Sequence, residues 1–374
     1  MKYYVYGYYG FGNYGDQLIL ETIISTIAQK DCNAEFFIRS FDQSKKSLTT
    51  NNITYLTFEK FLMNPTKRLF NFFKYVRRHL KFLKKCDYLI IGGGTLFIDK
   101  GKFSIIFVLL LIFVLYCKFF NKKVIIMGIG IDLISNPINL ILMKHIFKFS
   151  DFISVREIFA YDYLLNFRLD SNKIILSSDL IFANNKILEM ANQSLLPNCF
   201  VNTKPSIGIN IIDYFGTSNC NDVLRLKFKE SIHKLIDDNK ANYNFFYISL
   251  QEDIGNNDNF MYDELSNKIE YIHLTDETLP QIFNTIDYVI TMRYHLALLS
   301  FLFRKKCLII NHELKFSDLS LELSIPSIYI HHFMYEDSAK IISYLINSSQ
   351  CFDNFKLSKL KYKSLKNFLW LDNK

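Results

Sequence analysis

Residues 1–20, MKYYVYGYYGFGNYGDQLIL, read as a strand, a glycine-rich turn and the opening of a helix. An unbroken apolar and aromatic run covers Tyr3–Tyr6 and reads as a strand. Gly10, Gly12 and Gly15 then mark a turn, and helical spacing runs from about Asp16 to Lys30. The same order recurs along the chain. AEFFIRSF (34–41), DYLIIGGG (87–94), KVIIMGIG (123–130) and DFISVRE (151–157) read as strands. Between them lie a basic helical stretch at 66–85, an apolar one beginning near residue 105 and another near 137–149. A second series reads as strands at KPSIGINII (204–212), YNFFYISL (243–250), IEYIHL (269–274), DYVITMR (287–293), CLIINHE (307–313) and IPSIYI (325–330), with helical stretches between. Alternation of this kind predicts parallel α/β units.

Residues 184–204, NNKILEMANQSLLPNCFVNTK, are polar and lack a strong period, so the linker is expected there. The expected fold is α/β, with two tandem doubly wound, Rossmann-like domains facing a cleft, the arrangement of GT-B-type enzymes. The domains are expected at 1–190 and 205–350, with 351–374 a C-terminal basic helix packing back on the first.

Composition agrees with a globular chain. Of 374 residues, 50% are apolar and 21% charged, with only 13 Gly and 6 Pro, which excludes disordered and collagen-like classes. The net charge of +8 favours anionic partners: phosphorylated or carboxylated molecules, nucleic acid or an acidic membrane face. The 36 Phe and 23 Tyr are scattered through apolar runs and not grouped with Arg, which argues against nucleic acid. Cysteines at 32, 86, 117, 199, 220, 307 and 351 form no CxxC and no metal-ligand spacing. They read as reduced, mostly buried thiols. The N-terminus enters a strand without the features of a signal peptide, so a cytoplasmic location is expected. Ile105–Cys117 (IIFVLLLIFVLYC) is shorter than the roughly 18–20 residues of a spanning helix and reads as a buried helix, the alternative being a membrane-inserted one.

Gly10, Gly12 and Gly15 fit GxGxxG, the dinucleotide fingerprint, but the surroundings speak against it. A pyrophosphate would meet Asp16 at the helix N-terminus, and the second strand ends in Arg39 and Ser40, not an acid. The glycines instead allow a substrate close to the backbone, with Asn13 and Asp16 binding hydroxyls; the alternative is that Asp16 only caps the helix. Gly92, Gly93, Gly94 and Thr95 form a second such turn, and Gly128 and Gly130 a third, so the carboxyl edge of one sheet is a site candidate. Arg156 ends a strand, where a guanidinium suits a carboxylate or phosphate; an ion pair with Glu157 is the competing reading. Arg293 and His295 interrupt an apolar run at another strand–helix junction, and Lys315 follows the strand CLIIN.

Residues 67–85 carry Lys67, Arg68, Lys74, Arg77, Arg78, Lys81, Lys84 and Lys85 around the apolar series Leu69, Phe73, Val76, Leu80, Leu83. Such a helix either rests on anionic lipid or packs its stripe on the sheet and leaves a solvated basic face. Lys356–Lys366 poses the same choice. Peripheral attachment to the inner face of the cell membrane is therefore one of two readings.

Taken in order, these pieces resemble the polysaccharide pyruvyl transferase family along most of the chain. GYYGFGNYGDQLIL (7–20) matches the family's GYYGFGNxGDExIL, GGGTLF (92–97) its GGGxLF, and GIGID (128–132) its GxGIGP. SVRE (154–157) matches SVRD, SDLIF (178–182) the aspartate-containing DPxF, and MRYHLALLS (292–300) MRLHALIFA. The resemblance implies a GT-B-like fold and transfer of the pyruvyl group of phosphoenolpyruvate onto two hydroxyls of a sugar, forming a cyclic ketal and releasing phosphate. It places the donor-site arginine, histidine and lysine on Arg156, His295 and Lys315. Gln17 stands where the family has Glu, Leu180 where it has Pro, and HELKF (312–316) where it has YDPKV.

On this reading the first domain is the acceptor side and also contributes Arg156, and the second is the donor side, with Arg293 beside His295 and Lys315. Gly12, Asn13, Asp16, Gly93, Gly94 and Thr95 are the expected acceptor-binding residues. Arg and Lys neutralise the phosphate and carboxylate of phosphoenolpyruvate, the only co-substrate required, so neither metal nor cofactor is invoked. His295, whose unperturbed pKa lies near 6.5, would deliver a proton to the methylene carbon or hydrogen-bond the departing phosphate. Asp16 would deprotonate the acceptor hydroxyl, and domain closure would assemble the site. The expected partners are phosphoenolpyruvate, a sugar or lipid-linked oligosaccharide, and an anionic membrane surface. The rival readings are a GT-B glycosyltransferase using a nucleotide sugar, with Asp318 or Glu322 on the ribose, and a non-catalytic saccharide-binding protein.

Overall fold

The computed structural model describes residues 1–41, 52–57, 68–99, 101–167, 169–194, 204–217, 221–251, 258–350 and 352–372. Lys67, Cys199, Cys220 and Cys351 lie outside these residues. The chain divides into two compact units. One comprises Met1–Phe11, Asp16–Asn184 and Ser358–Lys374; the other comprises Gly12–Gly15 and Asn185–Leu357.

The first unit runs β1 (Lys2–Tyr6), α1 (Tyr14–Lys30), β2 (Glu35–Ser40), β3 (Ile53–Thr57), α2 (Arg68–Leu83), β4 (Tyr88–Gly92), β5 (Thr95–Phe97), α3 (Ile105–Phe119), β6 (Lys123–Ile131), α4 (Pro137–Lys148), β7 (Phe152–Val155), α5 (Ile158–Leu165) and β8 (Ile174–Leu176). Its sheet is parallel in the order β3-β2-β1-β4-β6-β7-β8, with β5 pairing β6. Strand order reverses between β1 and β4, and ligands of doubly wound sheets sit at such a point, off the carboxyl ends of the strands. β1, β4 and β6 are nearly wholly buried, which explains why they are continuous apolar runs and do not alternate.

The second unit runs α6 (Asn185–Gln193), β9 (Ser206–Asn210), α7 (Tyr214–Thr217), α8 (Asp222–Asn239), β10 (Asn244–Ser249), α9 (Tyr262–Leu265), β11 (Glu270–His273), α10 (Thr278–Thr285), β12 (Tyr288–Thr291), α11 (Tyr294–Leu302), β13 (Lys306–Asn311), α12 (Leu314–Leu323), β14 (Ser327–Tyr329), α13 (Ile330–Phe333) and α14 (Ser338–Ile346). Its parallel sheet has the order β11-β10-β9-β12-β13-β14, with the reversal between β9 and β12. The two sheets with their helices make the α/β, doubly wound, Rossmann-like fold read from the sequence.

Within the stretch read as linker, Asn185–Gln193 is helical, because Ile187 and Ala191, one turn apart, give α6 a buried stripe; residues 195–203 of that stretch lie outside the described residues. The apolar helix α3, read as buried, is buried on one side only: Phe107, Leu110, Phe113 and Cys117 face the core, while Leu115 and Phe119 are exposed. Among the described residues no helix is long and apolar enough to cross a membrane.

The C-terminal α15 (Asn354–Leu365) leads into a turn over Lys366–Leu371 that the first unit absorbs. Trp370 packs on Tyr3 and Tyr88, and buried Asn367 accepts hydrogen bonds from Ser154 (2.6 Å) and Ser177 (2.8 Å) and donates to the carbonyl of Ser178 (3.1 Å). Of the described cysteines, Cys86, Cys117 and Cys307 are buried free thiols, and Cys32, at the end of α1, is exposed.

Candidate active site

In the second unit, the turn after β12 carries Arg293 and the first turn of α11 carries His295, both at the reversal point of the sheet. Asp258, fully buried, fixes the arginine: Arg293 Nε donates to its Oδ1 at 2.7 Å, and Nη2 donates to Gln251 Oε1 at 2.9 Å. The other oxygen of Asp258 accepts from Asn210 Nδ2 (3.0 Å) and from the backbone N–H of Leu250 (2.8 Å) and Gln251 (3.3 Å). A buried carboxylate with this many donors is satisfied and aims the guanidinium.

Residues 12–15 belong to this unit. Asn13 forms a β-bridge with Gln251, the Tyr14 N–H donates to the Leu250 carbonyl at 2.9 Å, and the Tyr14 hydroxyl donates to Asp276 at 2.8 Å. Asn13 Oδ1 accepts from the Gly15 N–H at 3.0 Å, closing the turn. A Cβ at Gly15 would lie 1.9 Å from His295 Nδ1, so the third glycine clears space for an imidazole and not for a pyrophosphate. His295 is 7% exposed and meets the Tyr294 ring edge-on.

One strand over, His312 and Lys315 follow β13. Lys315 pairs with Glu313 and lies 5.6 Å from the centroid of the Phe316 ring. His312 Nδ1 is 3.2 Å from the Ile310 carbonyl, and its ring packs between Tyr214 and Phe316. Burial pushes its pKa down to about 4; Glu313 opposes this, and Lys315 and Arg293 reinforce it. A neutral imidazole there donates from Nδ1 to the carbonyl, which leaves Nε2 an acceptor.

In the first unit, Gly10 adopts left-handed backbone, as do Gly93 and Gly94 after β4; Gly12, of the second unit, does the same. A Cβ at Gly93 would meet Ile19 at 2.2 Å, and one at Gly94 would meet the Asp16 carboxylate at 3.2 Å. Asp16, in the first turn of α1, therefore lies over the Gly94 backbone. The Tyr9 hydroxyl donates to the Gly92 carbonyl at 2.6 Å and ties the two turns together. Gln17 donates to Glu21 at 3.3 Å.

Arg156 is 4% exposed and engaged on three sides: Nη1 to Asp179 (2.7 Å), Nε to Glu157 (3.2 Å) and Nη2 to Thr95 (3.4 Å). Asp179 also caps the turn that follows it by accepting from the Ile181 N–H at 2.9 Å. The ion pair that competed with ligand capture is thus present, with Asp179 as the nearer partner. Gly130 makes room for it, since a Cβ there would meet Glu157 at 2.5 Å. Leu180, standing where the family has Pro, fills the space over Gly128, 2.6 Å from a Cβ position there.

The structure thus groups Gly12, Asn13, Arg293 and His295 at one sheet edge, with Lys315 after the neighbouring strand. It groups Asp16, Gly93 and Gly94 at the other sheet edge, together with Thr95 and Arg156. Asp318 and Glu322 fall on α12. Sequence reading missed Asp258 and Gln251, which position Arg293. Nothing in local spacing joins Asp258 to Arg293, 35 residues away.

The fold has many solved counterparts. A UDP-GlcNAc 2-epimerase of Methanocaldococcus jannaschii in complex with UDP-GlcNAc and UDP matches over 100% of both chains, with a TM-score of 0.65 and 13% identity. S. aureus MnaA with UDP matches over 100% of this chain and 98% of its own, with a TM-score of 0.64 and 13% identity. A lipopolysaccharide outer core galactosyltransferase, WaaB, matches over 100% and 99%, with a TM-score of 0.57 and 12% identity. These likenesses define a GT-B-like fold. Among curated proteins none matches the sequence. A family model of polysaccharide pyruvyl transferases matches residues 13–313, and the chain belongs to that family.

Proposed function

We propose that this protein transfers the pyruvyl group of phosphoenolpyruvate to two hydroxyls of a sugar in a surface polysaccharide or its lipid-linked precursor. The observation that carries the reading is His295, seated on Gly15 in the first turn of a buried helix, with the Asp258-held Arg293 two residues before it. A helix N-terminus with flanking Arg and Lys favours an anion carrying both phosphate and carboxylate.

His295 delivers a proton to the methylene carbon as a sugar hydroxyl adds to the central carbon. Phosphate then leaves with one proton, and the second hydroxyl adds to the oxocarbenium-like carbon. Of the two hydroxyl protons, one replaces that given by His295 and the other departs on phosphate. Arg293 and Lys315 hold the donor anion, and Asp16 accepts the proton of the attacking hydroxyl. Gly12, Asn13, Gly93, Gly94 and Thr95 line the acceptor. Arg156 joins the donor by exchanging Glu157 for a substrate carboxylate. A lipid-linked acceptor would place the enzyme at the inner face of the cell membrane.

The test is phosphate release from phosphoenolpyruvate in the presence of candidate saccharides, with the product mass read for an added pyruvyl ketal. Release that depends on saccharide and is lost in His295→Ala supports the reading. Turnover of a UDP-sugar with none of phosphoenolpyruvate overturns it in favour of the glycosyltransferase.

A further inference from the structure

Three consecutive helices of the first unit contain no Asp or Glu: α2, α3 and α4. They lie side by side, α3 packing against both α2 and α4. α2 buries Asn71, Tyr75, His79 and Leu83 at i, i+4 spacing, and its opposite face is basic, with Lys74, Arg77, Arg78 and Lys81 exposed. Of the apolar series read from the sequence, Leu83 is buried and Val76 and Leu80 pack partly buried against the core, whereas Phe73 is exposed; the charges remain outside. The adjoining ridge of α3 has the opposite chemistry, for Leu115 is 44% exposed and Phe119 82%. Beside it, α4 exposes Ile138 and Ile141, with Lys144 and Lys148 on the following turns. Phe73 stands 62% exposed within the basic face of α2.

An exposed apolar ridge between two acid-free helices that carry exposed lysines and arginines marks a docking surface. The charge selects the occupant. A second copy would set acid-free helices against acid-free helices, whereas an anionic bilayer surface pairs with these cations and accepts Phe119 and Leu115 among its acyl chains. We propose that the α2–α3–α4 face of the first unit seats the protein on an anionic lipid surface, with the α3 ridge inserted and the α2 and α4 lysines and arginines on headgroup phosphates. The lipid-linked acceptor of the proposed reaction supplies a reason for this surface, but binding is read without donor or acceptor, so either idea can fail alone.

The test is sedimentation of the full chain with phosphatidylcholine vesicles, with and without phosphatidylglycerol, at low and high salt. Expected is pelleting with phosphatidylglycerol only, reversed by salt, and weakened roughly fivefold for each charge removed, the equivalent of about 1 kcal/mol per basic residue. The variants are Arg77→Ser with Arg78→Ser, and Phe119→Ser, all at exposed positions, each checked for an unchanged thermal midpoint. No pelleting, equal pelleting with neutral vesicles, or variants that pellet like the parent would overturn the proposal. A dimer in solution that Phe119→Ser dissociates would give the face to a second copy instead and overturn it as well.

Discussion

The imidazole of His295 rests on the backbone of Gly15, with Nδ1 only 1.9 Å from where a Cβ would be. No other residue type fits there without moving the ring. Gly15→Ala is expected to displace His295 and lower turnover by about 10²-fold or more, the range of a lost general acid. Overpacking of this kind destabilises by about 1–3 kcal/mol, so the variant folds. Gly15→Ala combined with His295→Ala should be no slower than His295→Ala alone. Additive losses in steady-state kinetics would show that the two do not act together.

Asp258 serves Arg293, Asn210 and two backbone N–H groups at once. Asp258→Ala leaves the partly buried Arg293 guanidinium, Asn210 and two backbone N–H groups without their acceptor, and is expected to destabilise by about 2–4 kcal/mol. Asp258→Asn keeps one acceptor oxygen and should destabilise less. Urea unfolding of the two variants checks the order.

Burial holds His79 at about 3 and His312 at about 4, both below the ordinary 6.5. Between those values the unfolded chain binds protons that the folded chain does not, so stability falls as pH drops below about 6.5. Most carboxylates titrate lower, which leaves the interval from about pH 6.5 to 5 to the histidines. Thermal midpoints should decline across it, and His312→Asn should flatten the decline. An unchanged slope would mean that His312 is protonated in the folded protein.

Burial pushes the thiols of Cys86, Cys117 and Cys307 up to about 12, whereas Cys32 is exposed. Since the thiolate is the reactive form, alkylation near neutral pH followed by peptide mapping should modify Cys32 and spare these three until denaturant is added.

The first strand–turn–helix unit and its repetition contained the fold, because parallel strands buried on both faces are written as continuous apolar runs. β3, β5 and β8 were not legible. β5 and β8 have three residues each, too few for a period, and β3 lies in a polar stretch. The sites were legible as motifs and not as partnerships. SVRE and SDLIF each stood out, but that Asp179 takes Arg156 depends on β7 and β8 being neighbours in the sheet. The half-exposed α3 was misread because thirteen uncharged residues contain no polar face to show which side meets water.

Because a ligand bound only by the native state raises the thermal midpoint, a thermal-shift titration separates phosphoenolpyruvate from a nucleotide sugar as the donor. Phosphoenolpyruvate is expected to raise the midpoint of the parent protein and to leave that of Lys315→Ala unmoved, whereas UDP-GlcNAc has no effect on either. A midpoint raised by UDP-GlcNAc and unmoved by phosphoenolpyruvate would contradict phosphoenolpyruvate as the donor.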